Sequence, residues 1–308
     1  MIDLTLIVKA MVYSVSIALG ATGITIIYNA TKTFNFAHAS MVGWGAYIVF
    51  ASFFLFKGIP QQYLPIAFAF SGFLGLITYF MVNRRLIMAK ASDINLMMST
   101  LGVDLILFAF LNIFADYLLY VHKISIAKNF VLETWDPYLS ILGINVRLTW
   151  ITAPIILVVV FTALRLMFLK TKLGIAMRAT IENPELAQLQ GINPDTVYIT
   201  SWFLGGGLAG LSGGILAMIF TGRPSIGMEV VVTLFAGAIV GGLETIYGSF
   251  LGGFLVGLSE YIIPATLAPI VGSWINSYKT IVPLTIMVVT LLIKPSGIGT
   301  IIERKVKT

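Results

Sequence analysis

Along most of this chain, apolar residues run unbroken instead of recurring at a helical or strand period. Nine such stretches lie near residues 8–29, 36–56, 63–82, 96–119, 148–169, 196–220, 228–243, 248–268 and 278–294. Most approach the roughly 20 residues a helix needs to cross bilayer hydrocarbon. They predict about eight to nine transmembrane helices. The 228–243 stretch is short and glycine-rich, so it is expected to be broken or re-entrant. The first stretch begins near Val8 with no cationic start and no small-residue cleavage pattern, and reads as a retained helix, not a signal peptide. Polar positions gather in few places. One is the loop holding Arg84, Arg85 and Lys90, and another the segment from Val121 to Arg147. The third is an island, "KTKLGIAMRATIENPELAQLQGINPD", from Lys170 to Asp195, with Arg178, Glu182 and Glu185 at helix-like spacing.

Composition fixes the class. Of 308 residues, 58% are hydrophobic and 10% charged, where soluble domains carry about a quarter charged residues. The fold class is therefore an all-α polytopic membrane protein. Cysteine is absent, which excludes disulfides, thiolate metal sites and cysteine nucleophiles. The net charge of +6 bears on orientation, since no basic run is dense enough for nucleic acid. With nine crossings, the Arg84–Lys90 loop, the island and the tail holding Arg304, Lys305 and Lys307 fall on one side. The excess of positive charge makes that side cytoplasmic. The N-terminus is then external, and Val121–Arg147 is an external loop with Trp135 and Tyr138 as interfacial anchors.

The two halves look related in opposite directions. "SIALGATGITIIYNA" precedes "FNFAHASMVGWGAYIVF", and "FLGGGLAGLSGGILAMIF" precedes "VVVTLFAGAIVGG". The pattern predicts one transmembrane domain over 1–308, with inverted repeats 8–120 and 196–294, a connecting helix 148–169 and the polar loop 170–195. Inverted repeats place broken helices near the bilayer midplane, here expected at Asn35–Gly45 and Gly237–Gly248. Gly205, Gly207 and Gly210 spell a dinucleotide fingerprint but lie inside an apolar span, without the strand that motif needs. Glycines four apart, such as 206/210/214 and 253/257, fit close helix packing. Asp104 lies well inside its span. A carboxylate facing lipid there costs roughly 3 kcal/mol on insertion scales, so it must face the bundle or a wet cavity. His38 stands near the inner end of the second span, and Glu229, Glu244 and Glu260 lie near span ends, where solvation accounts for them. No catalytic motif, phosphate loop, metal cluster or cofactor site is present in the sequence.

Several stretches carry a resemblance. "ELAQLQG" places Glu185, Ala187 and Gly191 at the spacing of the Glu-Ala-Ala-x-x-x-Gly cytoplasmic motif of ABC importer permeases, with Leu186 in place of the first alanine. "NATKTFNFAHASMVGWGAYI", "NRRLIMAKASDINLMMSTLGVDLIL", "TKLGIAMRATIENPELAQLQGIN", "LAGLSGGILA" and "FAGAIVGGLETIYGSFLGGFLVGLSE" resemble, in order, segments of branched-chain amino-acid ABC transporter permeases. The chain departs from that pattern at Ser40, where the family usually has an acidic residue, and at Asp104, often a small polar one. The resemblance implies a membrane-spanning subunit of an ATP-driven importer. Its partners would be separate ATPase subunits, a second permease chain, related or identical, an external solute-binding protein and membrane lipid, with this chain itself multi-pass in the cell membrane. It also implies that Arg178, Glu182, Glu185, Ala187 and Gly191 couple to the ATPase. The solute path is expected along Asn35, His38, Gly43, Asp104, Gly237 and Gly241. Relatives move urea, short amides or other amino acids, so the solute stays open between these and branched-chain amino acids. The rival reading is a stand-alone secondary transporter or channel, which would need a coupling-ion site with Asp104 as its deep carboxylate.

Overall fold

The computed structural model describes residues 4–141 and 144–299; the tail cations Arg304, Lys305 and Lys307 lie outside them. Among the described residues, seven helices are long and apolar enough to cross a membrane, and two shorter apolar helices stand where the remaining stretches were expected. The long ones include α1 (Leu4–Thr31) and α2 (His38–Phe56). After a 3₁₀ turn at Pro60–Tyr63 comes α3 (Leu64–Thr78), which runs on through a π turn, Tyr79–Asn83, into α4 (Arg84–Met88). Next is α5 (Asp93–Tyr120). A small hairpin, β1 (Tyr138–Ile141) and β2 (Ile144–Arg147), pairs Tyr138 with Arg147 and leads into α6 (Leu148–Lys170).

The polar island forms α7 (Lys172–Glu182) and α8 (Pro184–Leu189), and α9 (Pro194–Ala217) follows. The chain ends with α10 (Ile226–Gly241), α11 (Ile246–Val271) and α12 (Ile281–Ile293). The two short apolar helices are α10 and α12.

Residue size, more than polarity, decides which helices lie inside. The stretches are apolar on all sides, so close approach favours those with small faces. A Cβ on Gly45 would overlap the backbone of Gly210, and one on Gly213 the Val42 carbonyl; α2 and α9 therefore cross nearly backbone to backbone. α1 and α9 run antiparallel, with Ser16 Oγ donating to the Ser212 carbonyl at 2.8 Å. α3 lies antiparallel on α9, and α11 antiparallel on α1. The outer helices turn large side chains outward, among them Ile106, Phe110, Val158 and Leu292, all more than half exposed. Such a girdle suits hydrocarbon, and the backbone polar groups beneath it are satisfied within helices.

The Val121–Arg147 segment is structured. Phe130 pairs by two backbone hydrogen bonds with Gly222, between α9 and α10, and its ring stacks on Phe50 at 3.9 Å. Glu133 ion-pairs with Lys9 at 2.8 Å and Arg147 at 3.5 Å. Asp136 is buried and accepts from Gln61 Nε2 at 2.5 Å and from the Thr149 amide. Burial pushes its carboxyl above the usual 3.8, and the Thr149 and Gln61 donors oppose the rise. Trp135 and Tyr138 are exposed, as interfacial anchors would be, and Trp135 packs on Phe53 and Phe54.

Two expectations need correcting. Glu229 and Glu244 are exposed, but Glu260 is 1% exposed, well inside α11, where Tyr13 Oη donates to Oε2 at 2.6 Å. The break expected across Gly237–Gly248 is the end of a helix. α10 stays helical to Gly241 and stops at Gly242, whose φ of +101° suits glycine alone, and Thr245 Oγ1 caps the last carbonyls.

Candidate functional site

Four of the expected path residues converge where α2 begins. Residues 32–37 are not helical and fold back along α1, held by the Thr100 hydroxyl of α5, which accepts from the Phe36 amide at 3.1 Å. α2 then starts deep in the bundle, not at its edge. His38 Nε2 donates to the carbonyl of Gly20, past the midpoint of α1, at 3.0 Å. That bond fixes the proton on Nε2 and leaves Nδ1 buried without a hydrogen-bond partner among the described residues. His38 is therefore deeper than the sequence suggested. Asn35 is buried beside it, its Nδ2 on the Met41 sulfur at 3.8 Å.

Asp104 reaches this helix start from α5. Its Oδ1 accepts from the Ser40 amide at 3.0 Å, while Ser40 Oγ donates to the Asp104 carbonyl, also at 3.0 Å. The first turn of a helix has amides without intrahelical partners and a partial positive charge. An acceptor from another helix thus caps α2, which explains a carboxylate kept 6% exposed inside an apolar span. Ser40 and Asp104, the two departures from the family pattern, are bonded to each other. Gly43 faces the flexible end of Leu111 and the Pro224 carbonyl.

α10 starts against the same place. Gly227, in its first turn, lies on the Ala39 carbonyl and within 3.0 Å of the Gly43 amide, measured from an added Cβ. Two helix beginnings therefore meet inside the bundle, α2 leaving toward the hairpin end and α10 toward the island. Gly237 and Gly241 do not join the cluster. They turn to α11, against Gly253 and Gly248.

The island makes a second site. Its polar spacing suggested one helix through Glu185, but the chain divides. Asn183 adopts an extended backbone and its Oδ1 accepts from the Glu185 and Leu186 amides at 3.0 Å each. Arg178 and Glu182 belong to α7, and Glu185 and Ala187 to α8. The Arg178 guanidinium donates back to the Phe168 carbonyl of α6, tying the island to the span before it. α8 ends with Gly191 at φ +82° and the Ile192 amide returning to the Ala187 carbonyl, a left-handed helix stop. Ala187 is buried, whereas Leu186 and Leu189 are 60% and 81% exposed at the polar end of the molecule. Behind them, Asp195 at the start of α9 accepts from Tyr79 Oη at 2.5 Å and pairs with Arg84 at 2.9 Å. This clasp and the Tyr13–Glu260 pair were not foreseen. The available hint was Glu260 standing inside the 248–268 run.

The family described as "Branched-chain amino acid transport system / permease component" matches residues 6–291. A probable branched-chain amino acid transport permease protein, LivH, from Methanocaldococcus jannaschii is 37% identical over 298 residues, covering 97% of this chain and 93% of its own. The high-affinity branched-chain amino acid transport system permease protein BraD of Pseudomonas aeruginosa is 26% identical over 95% of this chain and 94% of its own. LivH of Salmonella typhimurium is 24% identical over 91% and 90%. A chain in the solved structure of PsaBC from Streptococcus pneumoniae in complex with Fab aligns with a TM-score of 0.54 at 10% identity, covering 96% of this chain and 94% of that one. That likeness speaks to the fold alone.

Proposed function

Because the chain belongs to the family of branched-chain amino acid transport permeases, we propose that it is the membrane-spanning subunit of an ATP-driven importer of branched-chain or related amino acids. The observation that carries the reading is α8. It is a short helix braced at both ends, by Asn183 and by Gly191, with Leu186 and Leu189 projecting where the chain is otherwise polar. A separate ATPase subunit would seat on those leucines, which places residues 170–195 in the cytoplasm and the N-terminus outside. An external binding protein would deliver the solute to the opposite end, and a second permease chain would complete the path. The inverted repeat fits the meeting of the α2 and α10 starts. In this reading the path passes Asn35, His38 and Gly43, with backbone dipoles in place of charges touching a zwitterion. Gly237 and Gly241 would hold α10 on α11 so that its start stays there. The secondary-transport alternative draws no support from Asp104, whose carboxylate is engaged by the start of α2.

Gly191→Val tests the reading cleanly. An added Cβ there meets nothing within 4 Å, so the penalty is the positive φ alone. The expected outcome is normal membrane abundance with loss of ATPase copurification and of leucine uptake. Normal copurification and uptake would remove α8 from the coupling role.

A further inference from the structure

A cavity of about 550 Å³ opens at the end of the bundle opposite Arg84, lined by Leu6 and Lys9 of α1, Phe220 after α9, Glu260 and Pro264 of α11, and Lys279 before α12. Its volume falls within the roughly 300–1,000 Å³ of small-molecule sites. Its charges are unevenly matched. Lys9 is taken by Glu133. Lys279 Nζ lies over the rings of Phe220 and Tyr13, at 5.2 and 5.9 Å, and forms no ion pair within 4.0 Å among the described residues. Glu260, 1% exposed, receives the Tyr13 hydroxyl on Oε2, while its Oε1 has no hydrogen-bond partner within 3.5 Å among the described residues. The Thr233 hydroxyl of α10 stands beside the same carboxyl as a side-chain donor, and the Lys279 ammonium acts on it at longer range. A buried carboxylate that receives only hydroxyl donors is costly, and Glu260 lines the cavity together with Lys279, which closes no ion pair among the described residues.

We propose that this cavity binds a zwitterion bearing a primary ammonium group, with the ammonium on Glu260 and the anionic group on Lys279. The carboxylate lacks an N–H donor, and a primary ammonium brings three. The apolar walls of Leu6, Phe220 and Pro264 suit the aliphatic part of the ligand. A free amino acid and the headgroup of an ethanolamine phospholipid share this chemistry. The amino-acid source rests on the transport reading above; the lipid source does not.

The test follows the melting temperature of the full-length chain, with whatever subunits copurify, in nanodiscs. One arm uses phosphatidylcholine discs with added L-leucine or its N-trimethyl analogue. The other replaces half the lipid with phosphatidylethanolamine. The expected result is stabilisation by several degrees by the primary amine in at least one arm, lost in Glu260→Gln and weakened in Lys279→Gln. A shift with leucine alone assigns the site to a free amino acid, and one with phosphatidylethanolamine alone to a lipid headgroup. No shift in either arm overturns the proposal, as does a shift that persists in Glu260→Gln. Should that variant fail to fold, the wild type decides, because equal responses to primary and trimethylated amines also overturn it. The Gly191→Val uptake result is independent of every one of these outcomes.

Discussion

Two clasps sit at opposite ends of this bundle. In each, a tyrosine hydroxyl donates to a carboxylate across an antiparallel pair of glycine-faced helices: Tyr79 to Asp195 between α3 and α9, and Tyr13 to Glu260 between α1 and α11. The difference lies in the cation. Arg84 pairs with Asp195 at 2.9 Å, and both side chains keep partial contact with solvent, at 44% and 30% exposure. Lys279, at the other clasp, stays on aromatic rings, while the buried Glu260 keeps one oxygen without a closed hydrogen bond among the described residues. The same motif is thus a closed structural tie at one end and an open one at the other. Closure goes with solvent access, because a wet ion pair costs little to form and contributes little.

The largest expected effect concerns the glycine faces. A Cβ on Gly75 would collide with the Trp202 carbonyl, while one on Gly253 would stand 2.8 Å from Ala18 Cα. Both Gly75→Val and Gly253→Val overfill a close helix contact, which costs about 1–3 kcal/mol, and Gly75→Val should lose more membrane abundance and melting temperature. Equal tolerance of both would mean that the two helix pairs separate easily.

The tyrosines come next. Tyr13→Phe removes the hydrogen bond that Oε2 of a buried carboxylate receives, and bonds to charged groups are worth about 1.5–3 kcal/mol. Tyr79→Phe leaves Asp195 with Arg84 and should cost clearly less. Thermal unfolding in detergent of both variants checks the order, and the reverse ranking would show that Glu260 finds another donor. Smaller still is Arg84→Ala, whose half-exposed pair should contribute less than about 1 kcal/mol and should matter less in high salt.

The smallest effect is one of pH and concerns Asp136, a third buried carboxyl. Burial raises it above its ordinary 3.8 in the fold, so the folded state holds the proton more tightly than the unfolded chain. Its contribution is fully present below that ordinary value and is lost as pH rises through the folded one. The melting temperature of the wild type relative to Asp136→Asn should therefore fall as pH climbs above the ordinary aspartate value and then level off. A difference that grows with pH would reverse the sign of the shift.

Much of the architecture was legible because lipid demands long apolar runs. All nine stretches hold a helix, and Asp104 faces inward as cost required. The pairings were not legible. Ser40 and Asp104 are 64 residues apart and Tyr13 and Glu260 are 247 apart, and helices apolar on every side carry no stripe to say which face meets which neighbour. The division at Asn183 was hidden for a local reason. Its neighbours keep helical spacing, and only the side-chain cap on two amides shows that the helix restarts.

The burial of α1 has a consequence for how the protein is made. α1 leaves the ribosome well before α9 and α11, the helices that line it. Ser16 bonds to Ser212, which is synthesised 196 residues later. Until then the small, hydroxyl-bearing face of α1 has no permanent neighbour, and contacts between such distant segments are slow to form. Insertion and assembly are therefore separate events here, and the nascent chain spends the interval with its future centre still turned to the lipid or to an insertion partner.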